Sequence, residues 1–162
     1  MKLLIAFFLL VIIGCNSQEC ENISVRGFTH SDSNTLFVYE NPNLVSNFNK
    51  INPDEEGGWI SKIIDVQGEF FKIEIVDLKL NGWIKKGSLS LNTRNYDGQK
   101  VFLYEKPYLS SKKVNFLENE QTVKILDVCS GWAYIETYEK GVKKTGWLEP
   151  NMQCGNPYTT CP

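Results

Sequence analysis

The sequence predicts an all-β protein of two small antiparallel barrels in tandem, and three observations carry the prediction. Val38-Tyr39-Glu40-Asn41-Pro42, ending in Asn81-Gly82-Trp83-Ile84, returns as Leu103-Tyr104-Glu105-Lys106-Pro107, ending in Thr145-Gly146-Trp147-Leu148. Tyrosine to tryptophan spans 44 residues in the first copy and 43 in the second, which marks a duplicated unit of about 60 residues. Between these words the apolar residues alternate in short runs, and no window of about 11 residues carries an uninterrupted helical period.

The chain opens with Lys2 and an uninterrupted apolar run from Leu3 to Ile13, followed by Gly14-Cys15. That run is short of the roughly 20 apolar residues a membrane-spanning helix needs, and it reads as the apolar core of a secretory signal. Ile12-Ile13-Gly14-Cys15 resembles the lipobox of bacterial lipoproteins. The resemblance implies a signal peptide over residues 1–14 and a Cys15 that is acylated on sulfur and heads the mature chain. Asn16 supplies no Asp-type retention cue, so the expected location is the cell envelope, lipid-anchored in the outer membrane and facing the periplasm or the cell surface. Two or three acyl chains hold a protein stably where one gives only marginal binding.

Residues 15–34 are polar without sustained periodicity and read as a tether, with room for a short strand at Ile23–Val25. The first unit spans 35–90. Its opening strand, Leu36–Tyr39, ends before Pro42, which forces its predecessor out of the helical region. Leu44–Phe48 has room for a single helical turn, and the stretch from Asn47 to Gly58 is a polar, acidic loop. Trp59–Val66 is rich in β-branched residues, Gln67-Gly68 turns the chain, and Phe71, Ile73 and Ile75 alternate with Lys72 and Glu74 as a strand with one wet face. The chain then closes on Gly82-Trp83. Residues 92–100, with an Asp-Gly turn signal, form a junction.

The second unit spans 101–150 in the same order. Val101–Tyr104 opens it, Val114–Leu117 has room for a helical turn, and Thr122–Val128 forms a strand. Simple alternation puts Val123, Ile125 and Asp127 on one face of that strand and Lys124, Leu126 and Val128 on the other. Ser130-Gly131 and Lys140-Gly141 mark the hairpins on either side of Trp132–Ile135. The copies align internally: Ile64-Asp65-Val66 with Leu126-Asp127-Val128, Phe70 with Trp132, and Ile73 with Ile135. Residues 151–162 form a tail that needs crosslinks to be ordered. A domain of this size alone buries only about 60% of its unfolded surface and is marginal, so the two are expected to support each other.

Cys20, Cys129, Cys154 and Cys161 are even in number and agree with export to an oxidising compartment. Of the three possible pairings, Cys129 with Cys154 and Cys20 with Cys161 is preferred, and a local Cys154 to Cys161 loop is its rival. Their spacings of 109, 25 and 7 residues match no common zinc pattern and the single histidine is His30, so no metal or other cofactor is expected. Taking Lys2 from the 17 basic residues leaves 16 against 19 acidic ones, a formal charge of -3. Lys85-Lys86 and Lys143-Lys144 are too small to neutralise a phosphate backbone, which argues against nucleic acid as a partner.

The succession Tyr-Glu-x-Pro, a strand closing on Asp-Val, Gly131-Trp132-Ala133-Tyr134-Ile135 and Thr145-Gly146-Trp147-Leu148 resembles the bacterial SH3-like (SH3b) domain. The second copy fits well. In the first, Phe70 stands where the family has tryptophan, and the acidic loop is unusual. The resemblance implies an SH3-like barrel for each copy and a targeting role, with peptidoglycan peptide or an envelope protein as partner.

No hydrolase accompanies the repeats. One histidine in the tether, cysteines expected as disulfides and no Gly-x-Ser-x-Gly leave no nucleophile and base to assign. Asp54-Glu55-Glu56 reads as a solvated loop rather than a catalytic pair. An aromatic-lined groove is how SH3 folds hold extended peptides, and Tyr39, Glu40, Tyr104, Glu105, Trp132 and Tyr134 are the groove candidates. The two glutamates would meet an amine. Trp83 and Trp147 are expected to close the core or wall the groove. Two function classes follow: a non-catalytic envelope binding module, or a structural, accessory or inhibitor-type lipoprotein working through a protein interface.

Overall fold

A computed structural model describes residues 20–29, 35–52, 58–159 and 161. Cys15, His30 and the Asp54-Glu55-Glu56 cluster lie outside the described residues. The strands are β1 (Val25–Thr29), β2 (Leu36–Tyr39), β3 (Phe48–Ile51), β4 (Ile60–Gln67), β5 (Phe70–Ile75), β6 (Leu80–Lys85), β7 (Leu89–Thr93), β8 (Val101–Tyr104), β9 (Lys113–Leu117), β10 (Thr122–Cys129), β11 (Trp132–Glu139), β12 (Val142–Leu148) and β13 (Gln153–Cys154). The fold is all-β, as the sequence predicts.

The strands form one continuous, unclosed sheet in the order β3-β2-β6-β5-β4-β1-β7-β10-β11-β12-β8-β9, with β13 paired to β7. Reading inward from either end gives the same path, β3-β2-β6-β5-β4-β1 and β9-β8-β12-β11-β10-β7. The repeat is therefore a repeat of topology. Strand β7 stands to the second copy as β1 stands to the first, and it pairs with β1, β10 and β13. Two separate barrels are not what the sheet shows, because one strand serves both halves. The stretch read as a tether is corrected likewise: it supplies β1, which pairs with β4 along Val25–Phe28.

Local chemistry explains the registers. In the β10–β11 and β11–β12 hairpins Ser130-Gly131 and Lys140-Gly141 have φ of 49 and 79, and 53 and 78. Two successive positive φ values give the turn whose twist matches the flanking strands. The pairing of β10 with β11 shifts between Ile125 and Asp127, and that of β4 with β5 shifts at the equivalent place, between Ile63 and Asp65. In each bulge the aspartate Oδ1 accepts a hydrogen bond from the next backbone N–H, Val66 at 2.8 Å and Val128 at 2.9 Å. The extra residue reverses the faces beyond it. Val128 thus joins Val123 and Ile125 inside and Asp127 turns outward, opposite to simple alternation.

The apolar cluster runs through both copies, from Val38, Ile63, Phe71 and Ile84 to Leu103, Ile125, Ile135 and Leu148. Strand β5 buries Phe71, Ile73 and Ile75 while Lys72 and Glu74 face out, as the alternation predicts. Val114–Leu117 is part of β9, so no helical turn forms there, whereas Leu44 and Val45 do form a turn, ahead of β3.

Cys20, Cys129, Cys154 and Cys161 are all oxidised, but as Cys20–Cys129 and Cys154–Cys161. The preferred pairing is overturned and its rival holds for the tail. Cys20 is not on a free tether; it leads into β1, which the sheet places two strands from β10, whose last residue is Cys129. Cys154 is left to its neighbour seven residues on.

Candidate functional site

The site is built on the outer face of β11, β12 and β8. The register places Tyr134 opposite Trp147 and Trp147 opposite Tyr104, and Trp132 is two residues from Tyr134, so all four rings share one face. Tyr104 meets Trp132 edge to face with centroids 5.4 Å apart, and Tyr134 meets Trp147 at 5.3 Å. Such pairs contribute about 0.5–1.5 kcal/mol beyond the area they bury.

The glycine before each tryptophan explains why this face is outside. A Cβ on Gly146 would lie 2.8 Å from Leu103 Cβ and 3.2 Å from the Tyr104 carbonyl oxygen, and one on Gly82 would run into Val38 and the Tyr39 carbonyl. The inward position is therefore empty of side chain so that β12 can cross close to β8, and β6 close to β2. Trp83 and Trp147 point the other way and stay half-buried, while Ile84 and Leu148 enter the core. The core reading of the two tryptophans is corrected accordingly.

Two clefts flank the Tyr104–Trp132 pair. One, of ≈ 240 Å³, is lined by Tyr104, Glu105 and Tyr134 together with Val114, Asn115 and Thr145. The other, of ≈ 520 Å³, lies between Pro107, Tyr108 and Leu109 on one side and Trp132, Glu149 and Pro150 on the other. Tyr104 is 5% exposed, so its ring backs the cleft rather than standing in water. Burial raises its phenol pKa and the Glu149 carboxylate raises it further, which keeps the hydroxyl protonated. Neither Glu105 nor Glu149 is in an ion pair among the described residues. Trp132, 7% exposed, is buried behind the face with Tyr104, so the face offers the half-buried rings of Tyr134 and Trp147 to an extended chain and carboxylates to a cation.

The first copy repeats the plan with different chemistry. Tyr39 meets Phe70 edge to face at 6.0 Å and lies opposite Trp83. Where Tyr134 covers Trp147, Lys72 Nζ sits 5.8 Å from the Trp83 ring. Glu40 is taken up by its own loop, accepting a hydrogen bond from Asn47 Nδ2 at 3.1 Å. Tyr39 lines a cleft of ≈ 280 Å³ with Leu36, Phe37, Leu44, Lys85 and Ser88. The six groove candidates are thus divided between two copies, and Tyr104, Glu105 and Tyr134 are the ones brought to a single cleft.

Glu149, Tyr108, Pro150 and Lys85 line these clefts without being among the candidate site residues that the sequence points to. Glu149 and Lys85 each follow the Gly-Trp word by two residues, the spacing that keeps a strand residue on the tryptophan's face, and that alternation was the available signal. No group of three or more His, Cys, Asp or Glu suited to a metal ion occurs among the described residues.

No protein-family model matches the chain, and no curated protein matches it. Among solved structures it is similar to NlpC1 from Trichomonas vaginalis, at 18% identity and a TM-score of 0.33 over 91% of this chain and 50% of that one. It is also similar to NlpC2 from the same organism, at 21% identity and a TM-score of 0.33 over 83% of this chain and 49% of that one. The chain spans about half the length of either.

Proposed function

We propose that this protein is a non-catalytic binding module of the bacterial cell envelope, held by lipid on Cys15, whose second SH3-like copy grips an extended peptide. Peptidoglycan peptide is the favoured ligand and a segment of an envelope protein the other. The observation that carries the reading is the cleft in which Tyr104, Glu105 and Tyr134, all named from the sequence, stand together beside the larger Trp132–Glu149 cleft. The larger cleft falls within the roughly 300–1,000 Å³ typical of ligand sites and the smaller just below it. Rings that cover a flat peptide backbone and free carboxylates that receive an amine suit a crosslinking peptide bearing an amino group.

Retention on purified peptidoglycan tests the reading. The wild type is expected to be retained, and E105Q/E149Q to be washed through, since both carboxylates are solvent-side groups whose replacement leaves the fold intact. Y104A is a poorer probe alone because it empties a buried site against Trp132. Failure of the wild type to bind, or full retention of the double variant, contradicts the proposal.

A second reading, an accessory or inhibitor-type lipoprotein acting through a protein interface, is favoured by one observation. Leu44, Val45 and Phe48 of the first copy are 59%, 95% and 51% exposed around one loop. Apolar exposure of that kind marks interaction surfaces.

A further inference from the structure

The two copies present opposite charge at the same place. Lys85 follows Trp83 by two residues on β6, and Glu149 follows Trp147 by two residues just past β12; each lines the cleft of its own copy. A second exchange points the same way, Lys72 over Trp83 against Tyr134 over Trp147. A duplicated surface that has reversed its charge at its rim cannot recognise one end group twice.

We infer that the cleft of the first copy is a carboxylate site, taking the free C-terminal carboxylate of a peptide that ends in a small apolar residue. Lys85 supplies the cation. Its ammonium is in no ion pair among the described residues, and the Ser88 hydroxyl, on the same cleft, is a second donor. Leu36, Phe37, Tyr39 and Leu44 supply the apolar part of the same lining, which fits a methyl-sized side chain and not a second charge. At ≈ 280 Å³ the cleft is below the roughly 300–1,000 Å³ of sites that enclose whole small molecules, so it holds an end and not an entire ligand. A C-terminal carboxyl, with a pKa of about 3.3–3.7, is ionised at neutral pH and meets that need. This goes beyond the second-copy groove and does not require it.

The test uses two probes, N-acetyl-alanyl-alanine with its free carboxylate and the same peptide as its C-terminal amide. Each is titrated into the isotope-labelled, oxidised full chain and followed by amide chemical shifts. The acid is expected to move the Tyr39, Lys85, Gly87 and Ser88 signals, and to bind about tenfold more tightly than the amide, as expected for one charge-assisted contact. K85Q should bring the acid down to the amide's affinity, K85R should restore most of the difference, and K62Q, which removes an exposed lysine on β4, should bind like the wild type. Equal binding of acid and amide overturns the inference, as do shifts confined to other residues or no shifts with the probe in the millimolar range. Loss of peptidoglycan retention in E105Q/E149Q has no bearing on these shifts, so the two proposals fail separately.

Discussion

Gly146 and Gly82 are the residues on which the doubled pattern rests, since each lets one strand cross its neighbour at a distance that a side chain forbids. Replacing Gly146 by alanine drives a methyl group against Leu103 and the Tyr104 carbonyl. The expected cost is about 1–3 kcal/mol, the usual range for overpacking, read as a lower urea midpoint at unchanged slope. A second residue-scale prediction concerns Glu139. Hydrogen bonding from Lys144 holds its pKa below the ordinary 4.5, with a smaller contribution from the Glu118 backbone N–H and against the opposing effect of burial. A carboxylate depressed in the folded state stabilises above its unfolded pKa, and that contribution disappears as pH falls through the folded value. The wild type should therefore lose stability below about pH 4.5, and E139Q should show a shallower fall over the same window in urea midpoints. Individual roles were unevenly legible. The placement of Tyr104, Glu105 and Tyr134 near one another could be read from position in the repeat. Trp83 and Trp147 could not be placed, because a tryptophan in a small apolar strand suits core and surface equally until the glycine beside it is seen to face inward.

The elements were read correctly wherever alternation and turn chemistry agreed, as in β5 and the two glycine-containing hairpins of the second copy. They were misread where a tertiary partner decided. Residues 25–29 carry too little pattern to declare a strand, yet β4 and β7 pair with them on both sides. The aspartate in each Asp-Val word takes the amide of the following valine, and the bulge it stabilises reverses the faces that strict alternation assigns. Disulfide pairing lay beyond the sequence because it depends on which strand the first cysteine precedes. The observed bonds predict unequal effects. Cys20–Cys129 closes a separation of 109 residues and Cys154–Cys161 one of 7. Loop-closure entropy assigns about 4–5 kcal/mol to the first and about 2–3 kcal/mol to the second. C20S/C129S should lower the thermal midpoint more than C154S/C161S, and proteolytic mapping without reductant should recover Cys20 and Cys129 in one linked fragment. Equal midpoints would show that β1 docks without its crosslink.

Across the whole molecule, duplication explains the path of the sheet, and sharing of β7 explains why the copies are not independent. The apolar cluster crosses from one copy to the other, and Lys86 of the first pairs with Asp127 of the second at 2.8 Å. Unfolding is therefore expected in one transition, with tryptophan fluorescence and far-ultraviolet circular dichroism coinciding; separate transitions would mean that each copy is stable alone. On this joined scaffold the two outer faces differ, with unpaired carboxylates in one and lysines in the other. The most direct test of the central claim, that the second copy holds the working face, is a chemical-shift map of the oxidised full chain titrated with soluble peptidoglycan fragments. The largest changes are expected at Tyr104, Glu105, Trp132, Tyr134 and Glu149. A map with its largest changes elsewhere, or with none, would contradict that claim.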